Sequence, residues 1–293
     1  MRRLDVVFRE IFSILELSDY QWTPAKPERL LEYRKTAEAF PPLQRFFGLG
    51  IEITSQELIH EGFSPELAQE ALDLYPAISR NEHVFIPHAH WPAKPGMDYV
   101  YLGEESYELL RLIGERTDGL ERLKEANVLD LGSGSGALLL YIGSSIAKGL
   151  GIDISRKAVE WSQAAARAQG LDRLSFHAAA IGSPEAEVFA HGTKWDFAIL
   201  NPPFAIPTET EARPHRDGGA LGIELPLLFL QYAARNLGAG GEVFTLATNP
   251  IVQGRSAFFD RLDRGAFKIA EKKCLHDQFN HSLYRKERYA ERG

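Results

Sequence analysis

The apolar and polar positions of this chain change their period about a third of the way along. Near the start, Phe8, Ile11, Phe12, Ile14 and Leu15 recur at three- and four-residue spacing, which predicts an amphipathic helix. Prolines at 24, 27, 41, 42, 65 and 76 divide the first 95 residues into short helical pieces. Two of these carry start signatures. Thr54 or Ser55 offers a capping hydroxyl with Glu57 in the first turn. Ser64-Pro65-Glu66 places proline at the first helical position. With Gly62 between them, the two pieces predict a helix-turn-helix. Residues 82–87 (EHVFIP) read as a short strand. Helix, turn, helix and strand outline a small winged-helix-like module; the alternative is a plain helical cap on the next domain.

Past a Pro- and Gly-rich stretch at 91–99, strand and helix patterns alternate. Apolar runs suited to buried parallel strands lie at Asn127–Leu131, Leu150–Ile154, Leu174–Ala178, Asp196–Leu200 and Glu242–Ala247. Helical patterns separate several of them, at Gly136–Ile146, at Ser155–Gln169 with Ser155 as cap and Gly170 as stop, and from about Leu221 to Asn236. Phe267–Tyr289 holds two further strand candidates. Strands joined by helices of this length imply βαβ units and an open, doubly wound α/β sheet of the Rossmann-like type. The expected organisation is a mainly helical domain at 1–95 and an α/β domain at 96–293.

Composition narrows the class. The 293 residues are 44% hydrophobic and 25% charged, enough to bury large cores without staples. The single cysteine, Cys274, excludes an internal disulfide framework. No run approaches 18 uncharged apolar residues, so no membrane helix is expected. Asp5, Arg9, Glu10 and Glu16 interrupt any signal-peptide core behind Arg2-Arg3, and a cytoplasmic setting is expected. The net charge of −7, from 33 basic and 40 acidic residues, argues against a chain built to coat phosphate backbones. His83, His88 and His90, and likewise Cys274, His276 and His281, lack zinc-ligand spacing. They are expected to be loop or surface residues, and no metal is expected.

The sharpest local signal is the loop Asp130-Leu131-Gly132-Ser133-Gly134-Ser135-Gly136. A buried strand ends, three glycines alternate, and a helix begins. Glycines there allow positive φ and let the backbone approach a ligand without Cβ clashes. About 20 residues on, Asp153 ends the second strand with a carboxylate able to accept both hydroxyls of an adenosine ribose. The spacing of Gly132, Gly134, Ala137 and Asp153 also fits a dinucleotide fingerprint. Asp130 tilts against that reading, because a carboxylate two residues before the first glycine repels a pyrophosphate and attracts a cation. S-adenosylmethionine carries an ammonium and a sulfonium and no phosphate.

The strand at Asp196–Leu200 is followed by Asn201-Pro202-Pro203-Phe204. The D-x-G-x-G-x-G loop, an acidic end to the second strand, and N-P-P-F about 70 residues after the loop resemble the class I S-adenosylmethionine-dependent methyltransferases. More narrowly, they resemble the amino-group methyltransferases that include release-factor glutamine and small-domain rRNA guanine and adenine enzymes. The resemblance covers about residues 100–290. It implies a Rossmann-like seven-stranded methyltransferase sheet and S-adenosylmethionine as cofactor. It also implies that Asp130, Gly132, Ser133, Gly134 and Gly136 hold the methionyl part, and that Asp153 holds the ribose. Many relatives have an acidic residue after the third strand; here the stretch is His177-Ala-Ala-Ala-Ile181. Adenine contacts are therefore expected from backbone and apolar surface near Ala180.

The second motif has a chemical rationale. An amide or exocyclic amine nitrogen is a poor nucleophile because its lone pair is delocalised. The Asn201 side-chain oxygen and the Pro202 carbonyl can each accept one N–H, fixing the amine and favouring a tetrahedral nitrogen. Consecutive prolines restrict the backbone and remove two donors, leaving carbonyls available. Phe204 can stack on a planar amide or base, with Pro203 beside it. Asn201, Pro202 and Phe204 are thus the expected catalytic set, with Asn201 also bordering the cofactor. The loop Ala205–Gly219 brings Arg213 and Arg216 as candidate substrate contacts, against the alternative of a solvated surface loop. Glu104, Glu105 and Ser106 precede a helix expected over the cofactor pocket, and capping it is their expected role.

The expected activity is N-methylation of a planar amino group on a protein glutamine or an RNA base. A non-catalytic cofactor-binding regulator and a small-molecule methyltransferase remain the alternatives.

Overall fold

The computed structural model describes residues 2–23, 27–91, 99–206 and 217–262. The N-terminal region begins with α1 (Leu4–Leu17), whose Phe8, Ile11, Phe12 and Leu15 are buried as its periodicity requires. After α2 (Pro27–Lys35) and a π-helical turn at Gln44–Gly48, the helix-turn-helix forms from α3 (Ser55–His60) and α4 (Pro65–Leu74). Thr54, rather than Ser55, caps α3. Its hydroxyl accepts from the Glu57 amide while the Glu57 carboxylate accepts from the Thr54 amide, a reciprocal box that satisfies two otherwise orphaned donors. Ser64 caps α4 ahead of Pro65.

Where one strand was expected, there is an antiparallel hairpin of β1 (Ala77–Asn81) and β2 (Val84–His88). Glu82 and His83 form its turn, Glu82 with φ 53°. β1 is hard to see in the sequence because Ser79 and Arg80 are polar yet buried. Arg80 reaches the Tyr20 and Glu82 carbonyls and the Glu16 carboxylate, and lies over the Phe85 ring.

The α/β region follows α5 (Glu104–Arg116). Its elements are β3 (Asn127–Leu131), α6 (Ala137–Ile142), β4 (Lys148–Asp153), α7 (Arg156–Ala168) and β5 (Leu174–Ala178). Then come α8 (Pro184–Ala190), β6 (Trp195–Leu200), α9 (Glu224–Asn236) and β7 (Leu237–Thr245). A small hairpin, β8 (Ile251–Val252) with β9 (Arg255–Ser256), precedes α10 (Ala257–Arg261). The main sheet is wholly parallel, in the order β5-β4-β3-β6-β7. These are the five strands expected before the tail; the tail candidates at 267–289 lie outside the described residues.

The sheet is covered on both faces, as a parallel sheet must be. Val128, Phe197 and Ile199 belong to one core with α5, α6 and α7. Leu129, Leu131, Ala198 and Leu200 belong to the other, with α8, α9 and α10. The strand alternation of period two sorts them. The first core does not stop at the α/β region. It continues through Trp161 and Ala165 of α7 into Phe8, Phe12 and Phe85. Phe8 stacks on Phe12 and meets Trp161 edge-on at 6.0 Å. The Gln169 side chain pairs with both backbone groups of Phe85, accepting at 2.8 Å and donating at 2.9 Å. It thereby satisfies two polar groups on the open side of β2.

Truncation at this shared core has a definite expectation. Phe8 is fully buried, and Phe8→Ala should cost about 3–5 kcal/mol. Urea unfolding should show that loss in one cooperative transition. A separate early transition of the N-terminal helices would contradict the shared core.

Candidate active site

Strand registers bring the two motifs together. Asp130 on β3 sits opposite Gly151 on β4 and Ile199 on β6. Leu131 pairs with Ile152 and Leu200. Asp153, Gly132 and Asn201 therefore emerge side by side from three neighbouring strands at their carboxyl ends. With neighbouring strands about 4.8 Å apart, the row spans about 10 Å. The chain runs outward from β3 through β4 to β5, then returns to place β6 on β3's other side. The crevice at such a reversal is where open α/β sheets bind ligands.

The glycine loop is tightly specified. Gly132, Gly134 and Gly136 have φ of 73°, 51° and 71°. A Cβ on Gly132 would lie 2.9 Å from the Phe229 ring, and one on Gly136 would lie 2.8 Å from Ser162 Cβ. Gly136 is the N-cap of α6 in the left-handed region, which side chains resist. The Gly132 and Ser133 amides donate to the Ile152 carbonyl at 2.8 and 3.2 Å. The Ser162 hydroxyl donates to the Gly134 carbonyl at 3.0 Å.

The two acids differ in environment. Asp153 Oδ2 accepts from the Gly134 amide and Oδ1 from the Ser155 amide, each at 2.8 Å. It thus pins the loop to the start of α7. Burial raises its pKa, and these backbone bonds oppose the rise. Asp130 is completely buried, and neither carboxylate oxygen has a partner. Burial, reinforced by the charge of Asp153, pushes its carboxyl up to about 8. The Ser133 hydroxyl is likewise buried without a partner.

Asn201 is half-buried and its side-chain amide donates to Ser106 Oγ at 3.2 Å. Ser106 lies in the first turn of α5 and is itself buried. The expected caps are therefore not caps: the N-cap is Gly103, with no side-chain bond. Glu105 instead meets the Tyr101 hydroxyl, and its pKa is raised by burial. The residues just before α5 also touch the glycine loop, since the Tyr101 carbonyl accepts from the Ser135 amide at 3.3 Å.

Pro202 is buried, and Pro203 and Phe204 are half-buried. The Thr248 hydroxyl donates to the Phe204 carbonyl at 3.4 Å and the Gly222 carbonyl at 3.1 Å. The following loop is closed at its neck, where Ala205 and Asp217 bridge and the Gly218 amide donates to the Ala205 carbonyl at 2.7 Å. Arg213 and Arg216 lie outside the described residues. Ala180 is exposed beyond β5; its neighbour Ala179 donates to the Asp153 carbonyl at 2.9 Å, which brings this segment to the same edge of the site.

The histidine expectation needs correction. His88 is buried, not a surface residue. Its Nδ1 lies 3.0 Å from the Ala89 carbonyl and its Nε2 lies 2.8 Å from the Ser79 hydroxyl. Burial pushes its pKa down to about 4. A neutral ring satisfies both contacts, with Nδ1–H donating and Nε2 accepting, and charge would have no compensation there. Among the described residues no cluster of three metal-binding side chains occurs.

Residues 123–270, just over half of the chain, match the model of a methyltransferase domain family. The chain belongs to this family of S-adenosylmethionine-dependent methyltransferases. Solved structures similar to it include a 16S rRNA N2-guanine methyltransferase of T. Thermophilus in complex with AdoMet and guanosine. That likeness has 25% identity and a TM-score of 0.42, over 61% of this chain and 43% of that one. A SAM-dependent methyltransferase from Agrobacterium tumefaciens matches at 17% identity and a TM-score of 0.44, over 63% and 55%. Another, from Thiobacillus denitrificans in complex with S-adenosyl-L-homocysteine, matches at 24% and 0.33, over 53% and 49%. The chain thus spans less than two thirds of each of these proteins. No match to a curated protein sequence is found. No described helix is long and apolar enough to cross a membrane.

The residues present fit the family's cofactor. Asp130 is a buried carboxylate with both oxygens unspent, as a site for an ammonium group requires. Ser133 adds an unspent hydroxyl. The glycines hold the loop in its tight form beside Asp130, since a Cβ at Gly132 or Gly136 would meet the protein's own Phe229 or Ser162. When bound, the cofactor supplies an electrophilic methyl group on a sulfonium.

Proposed function

We propose that this chain is an N-methyltransferase acting on a planar amino group, a protein glutamine amide or a nucleobase amine. The observation that carries the reading is the Asn201 side chain. Its nitrogen is engaged by Ser106, so its oxygen is the end left to accept an N–H. It stands one strand away from the glycine loop, at the crevice where β6 lies against β3. In this reading Asn201 Oδ1 and the Pro202 carbonyl hold the two amine hydrogens, and Phe204, with Pro203, supports the planar group. Asp130, Ser133 and the glycine backbone hold the methionyl end, Asp153 the ribose, and the segment at Ala180 the adenine. The chain's own contribution is positioning plus carbonyl dipoles aimed at a nitrogen that gains positive charge. Arg213 and Arg216 complete the substrate contacts in this proposal.

Incubating the full chain with tritiated S-adenosylmethionine and fractionated cell lysate tests it. Protease-sensitive label on a nitrogen-methylated amide, or nuclease-sensitive label on a methylated base amine, is the expected result and names the acceptor class. Label on oxygen, carbon or sulfur would refute amino methylation. Tight cofactor binding with no labelled product in any fraction would favour a regulatory protein.

A further inference from the structure

Ser106 lies 95 positions before Asn201 and on a different element, yet its hydroxyl is the partner of the Asn201 amide nitrogen at 3.2 Å. A serine in the first turn of a helix ordinarily spends its hydroxyl on local backbone. Here that oxygen is spent on Asn201, and the N-cap position is filled by Gly103 without side-chain help. Serine also has a lower helix propensity than alanine. A buried serine at this place therefore does nothing for α5 that alanine would not do better.

The consequence falls on the carboxamide. An asparagine side chain can turn over about its last bond, exchanging its oxygen for its NH2 group. With the NH2 end held by Ser106, the oxygen faces the other way. Turned over, the same side chain would present N–H to the N–H of an acceptor amine, a repulsive pairing. We infer that Ser106 is a positioning residue for methyl transfer, anchoring the Asn201 side chain from α5 at the place where its oxygen can accept from the substrate amine. The inference rests on the proposal that Asn201 holds the acceptor, and it acts entirely through that residue.

Two readouts on the full chain test it. The first needs no substrate. The side-chain 15N–1H pair of Asn201, assigned by its loss in Asn201→Ala, should exchange with solvent about tenfold more slowly than exposed asparagine amides. Ser106→Ala should remove that protection, and Ser106→Thr should retain it. The second uses tritiated S-adenosylmethionine and the lysate fraction that the wild-type chain labels. Ser106→Ala should slow turnover roughly 10- to 100-fold, with the cofactor Kd unchanged, because a displaced catalytic contact acts on the transition state. Ser106→Thr should restore most of the rate. Adding Ser106→Ala to Asn201→Ala should then cost nothing further, since the two act as one unit.

An unprotected Asn201 amide in the wild type overturns the inference, as does an undiminished rate in Ser106→Ala. So does full additivity in the double variant, which would mean a merely structural role. A full rate in Asn201→Ala instead removes the reading of the site itself. The two failures are distinct, because the amide signal reports the Ser106 contact whether or not Asn201 takes part in the chemistry.

Discussion

Asn201→Ala should lower the rate of methyl transfer about 100- to 1000-fold, the usual loss when one preorganised polar group is removed from a developing charge. The expectation follows from where the residue sits. Its backbone continues β6, which is held to β3 by the pairing of Leu131 with Leu200. The Pro202-Pro203 pair behind it leaves few backbone conformations. The Phe204 carbonyl beyond is tied to Thr248. Removing the carboxamide therefore removes an acceptor without releasing the strand or loop that carries it. The loss should appear mainly in kcat, measured in single turnover with tritiated S-adenosylmethionine and the labelled acceptor fraction. Thermal stability should change little, since the side chain is only half-buried. An unchanged single-turnover rate would sink the proposed role.

Both motifs were legible because each carries its constraint locally. Three glycines at positive φ and two prolines in a row restrict the backbone wherever they occur, and β3 was delimited by its own apolar run. The strand ends of β4, β6 and β7 fell within a few residues of expectation, except that β7 begins earlier, at Leu237. Its Gly238-Ala239-Gly240-Gly241 start has no side-chain pattern to read. Helix α8 was not expected, although Ser183-Pro184-Glu185 repeats the start signature of α4 and Ser183 does cap it. That local signal was sufficient to place the helix.

Other features were not local. Ser106 meets Asn201, and Gln169 meets Phe85 across 84 residues, only because the sheet and helices have packed. β1 was hidden because its buried Arg80 finds a partner from a distant segment and its buried Ser79 one across the hairpin, so polarity no longer reports exposure. The same physics ties the described N-terminal elements to the α/β region. Phe8 and Phe12 share a core with Trp161, so the methyltransferase helix α7 is buried partly by the N-terminal region.

Asp130→Asn should produce two opposite effects, a more stable free chain and a greatly weakened hold on S-adenosylmethionine. In the free chain the buried carboxylate has no partner on either oxygen, and its pKa is pushed from the ordinary carboxylate range to about 8. A raised folded-state pKa means that this group's contribution to stability is fully present below about pH 4, the unfolded value. It is lost progressively as the pH climbs through about 8. The wild-type chain should thus lose unfolding free energy over that window, and Asp130→Asn should flatten this part of the profile in urea titrations. Cofactor binding reverses the balance, because a cationic group beside Asp130 favours the charged carboxylate. Binding near pH 7 should therefore expel a proton, and affinity should rise toward pH 8. Calorimetry in two buffers of different ionisation enthalpy measures that proton directly. Asparagine, neutral at every pH, should abolish the release and weaken binding roughly 100-fold, the scale of a lost buried charge pair of about 3 kcal/mol. Equal affinity in the variant, or no proton release in the wild type, would place the cation elsewhere and leave the buried carboxylate without the role its isolation implies.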